Sequence, residues 1–129
     1  MTPAIAGAPY QDISADDFMA VDAALGIRRP YTDCISGGGP TTAAMLRCAH
    51  DEFIFQEKRL NDIYRTLMAR LGIEEKPALR NAERAWIVDK ERRCALPEDP
   101  GTTDQVTSAD CVVRETAQRA TELEKRLHK

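Results

Sequence analysis

The chain has 129 residues, a length that suits one domain. Its 43% hydrophobic and 30% charged residues are ordinary for a globular protein, and a net charge of −3 argues against nucleic acid as the main partner. No stretch comes near the roughly 18 consecutive apolar residues that indicate a membrane span, so we expect no integral membrane segment.

Four cysteines are the most informative feature of the composition: Cys34, Cys48, Cys94 and Cys111. None lies in the close pair of a zinc knuckle or in a C-x-x-C redox motif. An even number at wide spacing in a small chain favours two disulfides, and therefore a periplasmic or secreted protein. Free buried cysteines in a cytosolic protein are the alternative.

We interpret residues 1–13 as a flexible N-terminus and residues 14–129 as a single helical domain. Ala6-Gly7-Ala8 fits the small-residue pattern that ends a signal peptide, so a signal-peptide remnant or a tag scar stands beside an ordinary flexible terminus. A short helix is predicted after Ser14, and Gly26 is a suitable stop for it. The segment that follows, with Cys34 and the run from Gly37 to Pro40, is predicted to be a loop.

The longest predicted helix begins at Thr41 or Thr42 and ends near Leu71. Its apolar residues follow steps of three, four or seven, which indicates one buried stripe. The stripe comprises Met45, Leu46, Ala49, Phe53, Leu60, Ile63, Tyr64, Leu67 and Leu71. The charged residues between them are interpreted as a solvated face, including Glu57, Lys58, Arg59, Asp62, Arg65 and Arg70.

Two further helices complete the prediction. Pro77 suits the first turn of a helix that runs to about Cys94, and the short link before it predicts an antiparallel hairpin with the long helix. A last helix runs from about Thr103 to Leu127, with Val112 or Val113 in its apolar stripe. The predicted fold is therefore all-α: a small disulfide-stapled helical bundle built on a long antiparallel helical hairpin, plus a C-terminal helix and a short N-terminal helix.

Turns in the chain favour one disulfide pairing. The turn from Gly37 to Pro40 lets Cys34 fold back toward Cys48, and the turn from Pro97 to Gly101 does the same for Cys94 and Cys111. A Cys48–Cys94 bond across the hairpin is the competing pattern, since four cysteines allow three connectivities.

No catalytic, cofactor-binding or metal-binding motif is found. The segment His50-Asp51-Glu52 lacks the second histidine of a zinc-protease motif, and the three glycines lack the lysine of a phosphate loop. The neighbouring carboxylates Asp51 and Glu52 are interpreted as surface residues. We therefore expect a protein that is not an enzyme and needs no cofactor.

Asn61, Tyr64 and Trp86 stand out because they are polar or aromatic residues on the predicted core faces of their helices. A structural interpretation makes Trp86 the anchor of the hairpin, with Asn61 and Tyr64 satisfying buried polar groups. The alternative is a contact site for a partner, where Trp and Tyr are enriched.

These residues also carry a resemblance. The order of Cys48, an L-N-x-x-Y helix, an A-E-R-A-W helix, Cys94, and a closing helix after Cys111 resembles the LprI-type lysozyme inhibitor family over residues 34–127. Glu83 stands where that family usually has Gln, and Asp89-Lys90-Glu91 replaces an aromatic-Arg-Asp run. The residues that match the family motifs are Leu60, Asn61, Tyr64, Arg84, Trp86, Thr116, Arg119 and Leu123.

The resemblance implies a secreted or periplasmic helical protein whose partner is a protein, namely lysozyme or a related peptidoglycan-degrading enzyme. An inhibitor of this kind includes an immunity protein that neutralises a cell-wall toxin. The alternative function is that of a periplasmic adaptor without inhibitory activity. Acidic residues in the N-terminal part are expected to steer a basic enzyme: Asp12, Asp16, Asp17 and Asp22. The loops from Thr32 to Pro40 and from Pro97 to Thr103 are candidates for entering its cleft.

Overall fold

The computed structural model describes the backbone of residues 15–37 and 41–129, and the side chains of residues 19–37 and 41–129. Within these ranges the chain is all-α. The helices are α1 (Ala15–Leu25), α2 (Arg29–Ser36), α3 (Thr42–Arg70), α4 (Lys76–Arg93) and α5 (Thr102–Leu127). None of the helices so described is both long enough and apolar enough to cross a bilayer. Residues 1–14, Asp12 and Ser14 among them, and the side chains of Asp16 and Asp17 lie outside the described part.

Short-range signals in the sequence set most helix ends. Gly26 ends α1 with a φ of +81°, a left-handed conformation that favours glycine. The hydroxyl of Thr41 accepts a hydrogen bond from the amide of Ala44 at 3.2 Å and so caps α3. Pro77 lies in the first turn of α4, as predicted.

The predicted loop around Cys34 is wrong, because this segment forms α2. Pro30 lies in the first turn of that helix, where backbone N–H groups have no partner within the helix, so proline breaks no hydrogen bond there. Tyr31 and Thr32 are buried, so packing against the rest of the protein stabilises a helix of only eight residues.

Helices α3 and α5 form the main pair, and they run parallel to each other. Arg59 near the middle of α3 contacts Thr121 at 3.1 Å, and Arg70 at its end contacts the carbonyl of Leu127 at 3.0 Å. Helix α4 runs antiparallel to both, as the hairpin prediction requires. It packs less closely than predicted, however, because Leu79 is its one fully buried residue.

Two apolar clusters form the core. One lies where α3 and α5 begin and includes Ile27, Tyr31, Ala49, Val113 and Ala117. The other lies toward their ends and includes Leu60, Ile63, Leu67, Leu79, Ala120 and Leu123. Val113, at 0% exposure, is the valine of its pair that enters the core.

Polar residues of α3 lie between these clusters and hold the corner between α1 and α2. Gln56 donates to the carbonyl of Gly26 at 2.8 Å, and Arg59 donates to the carbonyl of Leu25 at 2.9 Å. Glu52 accepts from the backbone amide of Arg28 at 3.0 Å. The end of α1 and the start of α2 thus find partners for backbone groups that a helix leaves free.

These contacts correct three predictions about charged residues. Glu52 is 2% exposed and Arg59 is mostly buried, so neither belongs to a solvated face. Asp22 is also 2% exposed and binds Arg114 at 2.6 Å, so it cannot steer a partner from the surface.

The disulfides are Cys34–Cys48 and Cys94–Cys111, the favoured pairing. The first ties α2 to the beginning of α3, and the second ties the end of α4 to the first half of α5. Because α3 and α5 are parallel, both crosslinks lie at the same end of the bundle.

Candidate functional site

A groove of about 410 Å³ separates α4 from α3 and α5. It exists because the inward side of α4 carries few large apolar side chains, so that helix stands away from the main pair. The lining residues are Glu57, Leu60, Asn61, Tyr64, Arg80, Glu83, Arg84, Trp86, Ile87, Lys90 and Thr116.

Most of the residues that match the family motifs meet at this groove. Leu60 and Thr116 are buried in its floor, whereas Asn61, Tyr64, Arg84 and Trp86 reach its walls and rim. The remaining two residues, Arg119 and Leu123, do not line it. Residues from three helices, far apart in the sequence, are therefore neighbours in the fold.

Arg119 and Leu123 support the groove from behind. The guanidinium of Arg119 donates from Nε to Oε1 of Glu83 at 2.9 Å, and both side chains are mostly buried. This ion pair joins α5 to α4 where few apolar contacts do so. Leu123, at 1% exposure, belongs to the apolar cluster beneath.

Trp86 packs against the apolar cluster that contains Leu60 and Leu79, and it also borders the groove. It is only partly buried, and the ammonium group of Lys90 lies 4.9 Å from its ring centroid. The same ammonium group lies 6.0 Å from the ring of Phe53. Cations are attracted to aromatic faces at such distances, so Lys90 is held over the groove. Asn61 is exposed rather than directed toward the core.

The groove is locally basic although the chain as a whole carries a net charge of −3. Arg80, Arg84 and Lys90 form no salt bridge or side-chain hydrogen bond with any residue in the described part of the chain. Of the two carboxylates in its wall, Glu83 is neutralised by Arg119. Three cations therefore face Glu57 as the one carboxylate left without a compensating charge.

The reactive side chains of the sequence are not assembled here. All four cysteines are in disulfides, so none is a thiol nucleophile. Across residues 19–37 and 41–129, no three His, Cys, Asp or Glu side chains are placed to hold a metal ion. What the groove offers is an apolar floor, two aromatic rings and positive charge, which suits binding.

Sequence reasoning missed Arg80 as a neighbour of the motif residues, and it named Lys90 only as a member of the run that replaces the family's aromatic-Arg-Asp run. Spacing contained part of the signal, because Arg80, Arg84 and Ile87 follow steps of four and three on one face of α4. The predicted entering loop from Thr32 to Pro40 is not supported: its residues up to Ser36 are helical, and residues 38–40 lie outside the described part.

Comparison with known proteins agrees with the resemblance found in the sequence. The family model described as "Lysozyme inhibitor LprI" matches residues 34–123, which is most of the chain and includes every residue that lines the groove. Searches of curated proteins and of solved structures give no match. On the strength of this match, the chain belongs to the LprI family of lysozyme inhibitors.

Proposed function

We propose that this protein binds lysozyme, or a related peptidoglycan-degrading enzyme, and inhibits it without carrying out any reaction of its own. The observation that carries the proposal is the family match over residues 34–123. The groove adds support, because six of the eight residues that match the family motifs line it.

Inhibition of this kind needs only a rigid surface. Lysozymes cleave their substrate with two carboxylates in a cleft, so a protein that covers the cleft stops the reaction by excluding the polysaccharide. Two disulfides and the buried polar contacts at the α1–α2 corner fix the scaffold before binding. A preorganised surface loses less conformational entropy when it binds.

The same disulfides favour an oxidising compartment, so we place the protein in the periplasm or outside the cell. There it would meet lysozymes directed against its own cell wall. Protection against a cell-wall toxin released by a competitor is a narrower version of the same function.

A cell-wall lysis assay tests the proposal. Turbidity of a peptidoglycan suspension is followed with purified lysozymes of several classes, while the oxidised protein is added at increasing ratios. We expect at least one lysozyme to lose activity as the protein approaches equimolar amounts. An unrelated disulfide-bonded protein of similar size and charge is the control.

Unchanged rates with every lysozyme, at a large excess of folded and oxidised protein, would contradict the proposal. Binding of a lysozyme without loss of its rate would instead support the adaptor alternative. Both outcomes are separated by measuring complex formation by calorimetry beside the lysis rates.

A further inference from the structure

We infer that the groove between α4 and the α3–α5 pair receives a segment of the partner protein in which an apolar side chain is flanked by carboxylates. This inference rests on the proposed function and adds to it the contact face and the chemistry of the segment bound.

The shape of the groove suits side chains rather than a whole helix. Its volume of about 410 Å³ is near the lower end of the range for ligand pockets, enough for one or two apolar side chains. Leu60, Tyr64, Trp86 and Ile87 provide the apolar surface, and Ile87 is 41% exposed. Exposed apolar and aromatic residues in a concave site are typical of contact residues that a partner covers.

The charges select the flanking groups. Arg80 and Arg84 lie one helical turn apart and exposed on α4, and Lys90 lies over Trp86 at 4.9 Å. None of the three has an acidic partner among the residues described, so their charges are available to a ligand. A guanidinium group pairs with a carboxylate through two hydrogen bonds, which gives acidic side chains an advantage over neutral ones.

The contrast with the rest of the molecule strengthens this assignment. The chain has a net charge of −3, yet the groove concentrates uncompensated positive charge on one side. A carboxylate-bearing segment would therefore be attracted to this face.

Trp86 is the only tryptophan in the chain, so its fluorescence reports directly on the groove. The probe is a short blocked peptide in which leucine is flanked by glutamates, and its matched control has glutamine in place of each glutamate. We expect a saturable change in Trp86 emission with the acidic peptide and a much smaller one with the control. High salt should weaken the binding, because charge attraction is screened.

Two double variants of equal net charge localise the effect. R80E/R84E reverses the charge of two arginines in the groove, whereas R47E/R126E reverses the charge of two exposed arginines that lie outside it. We expect R80E/R84E to weaken peptide binding by at least about tenfold and R47E/R126E to change it by less than about twofold. The neutral pair R80Q/R84Q should fall between wild type and R80E/R84E. Far-UV circular dichroism checks that every variant keeps its fold.

A muropeptide, a soluble fragment of peptidoglycan, is titrated in parallel. Three results would overturn the inference: no saturable response to the acidic peptide, equal losses in both charge-reversed variants, or a response to the muropeptide but not to the peptide. The lysis assay separates this failure from that of the proposed function. If wild type inhibits a lysozyme and R80E/R84E inhibits it equally, the function stands and the groove is not the contact face. If no lysozyme is inhibited, the peptide titration still decides what the groove binds.

Discussion

The carboxylate of Asp22 holds the N-terminal helices to the rest of the bundle, and we predict that Asp22→Ala lowers the free energy of unfolding by about 3 kcal/mol. Asp22 accepts a hydrogen bond from the hydroxyl of Thr32 at 2.6 Å and another from Nη1 of Arg114 at 2.6 Å. A hydrogen bond to a charged group contributes about 1.5–3 kcal/mol. We take the lower end because the side chain of Arg114 is 32% exposed and keeps its contact with Asp110.

Urea unfolding at neutral pH, followed by Trp86 fluorescence and by far-UV circular dichroism, measures this loss. Asp22→Asn keeps the shape and one acceptor, so its loss should be smaller than that of Asp22→Ala. The control is Asp89→Ala, which removes an exposed ion pair with Arg92 and should cost less than about 0.5 kcal/mol. A loss below about 1 kcal/mol in Asp22→Ala would refute the view that this carboxylate anchors the N-terminal helices.

Three further predictions concern stability. Gly26→Ala should destabilise the protein by about 1–2 kcal/mol for the left-handed φ alone. The loss should be larger because the new methyl group would lie 2.7 Å from Nη1 of Arg59. A thermal midpoint equal to that of the wild type would contradict this prediction. Burial, together with the hydrogen bond to Asp110, raises the pKa of Tyr31. The unfolded chain therefore loses this proton at a lower pH than the folded one, so stability is retained below about pH 10 and falls above it by about 1.4 kcal/mol per pH unit. Urea midpoints between about pH 9 and 11 should show this slope, and Tyr31→Phe should flatten it. Reduction of both disulfides should lower the melting temperature, since each closes a loop for which the chain-entropy model gives about 3 kcal/mol. An unchanged melting temperature after complete reduction, checked by thiol titration, would contradict that account.

The three long helices could be predicted from sequence because each has a repeating apolar stripe and a clear start or stop signal. Thr41 and Pro77 mark where two of them begin, and Gly26 marks where the shorter α1 ends. Each acts through its nearest neighbours in the chain, so the signals are local. The predicted turns favoured the observed disulfide pairing over the competing Cys48–Cys94 bond. Helix α2 gave no such signal, since eight residues are too few to show a period.

The buried polar residues could not be predicted, because their burial depends on partners far along the chain. Glu52 contacts Arg28, and Arg59 contacts Thr121, across separations of 24 and 62 residues. Between Phe53 and Leu60 the buried side of α3 carries no predicted apolar residue, and Gln56 occupies that position. The sequence shows this gap in the apolar stripe but not the α1–α2 corner that Gln56 binds.

The groove was even less accessible from sequence. Its existence depends on how far α4 stands from its neighbours, and that distance follows from three-dimensional packing rather than from any one motif. The motif residues were found as separate patterns on separate helices, whereas their convergence is a property of the fold.

Both disulfides lie where α3 and α5 begin, so only one end of the bundle is covalently crosslinked. The turn between α3 and α4, where Ile73 is 86% exposed, has only noncovalent contacts to hold it. No covalent bond has to break for that turn to open, so we expect fraying to start there, and amide hydrogens around Leu71 should exchange sooner than those around Cys48. We expect such an opening to move α4 about its end near Cys94 and to widen the groove while both disulfides stay intact.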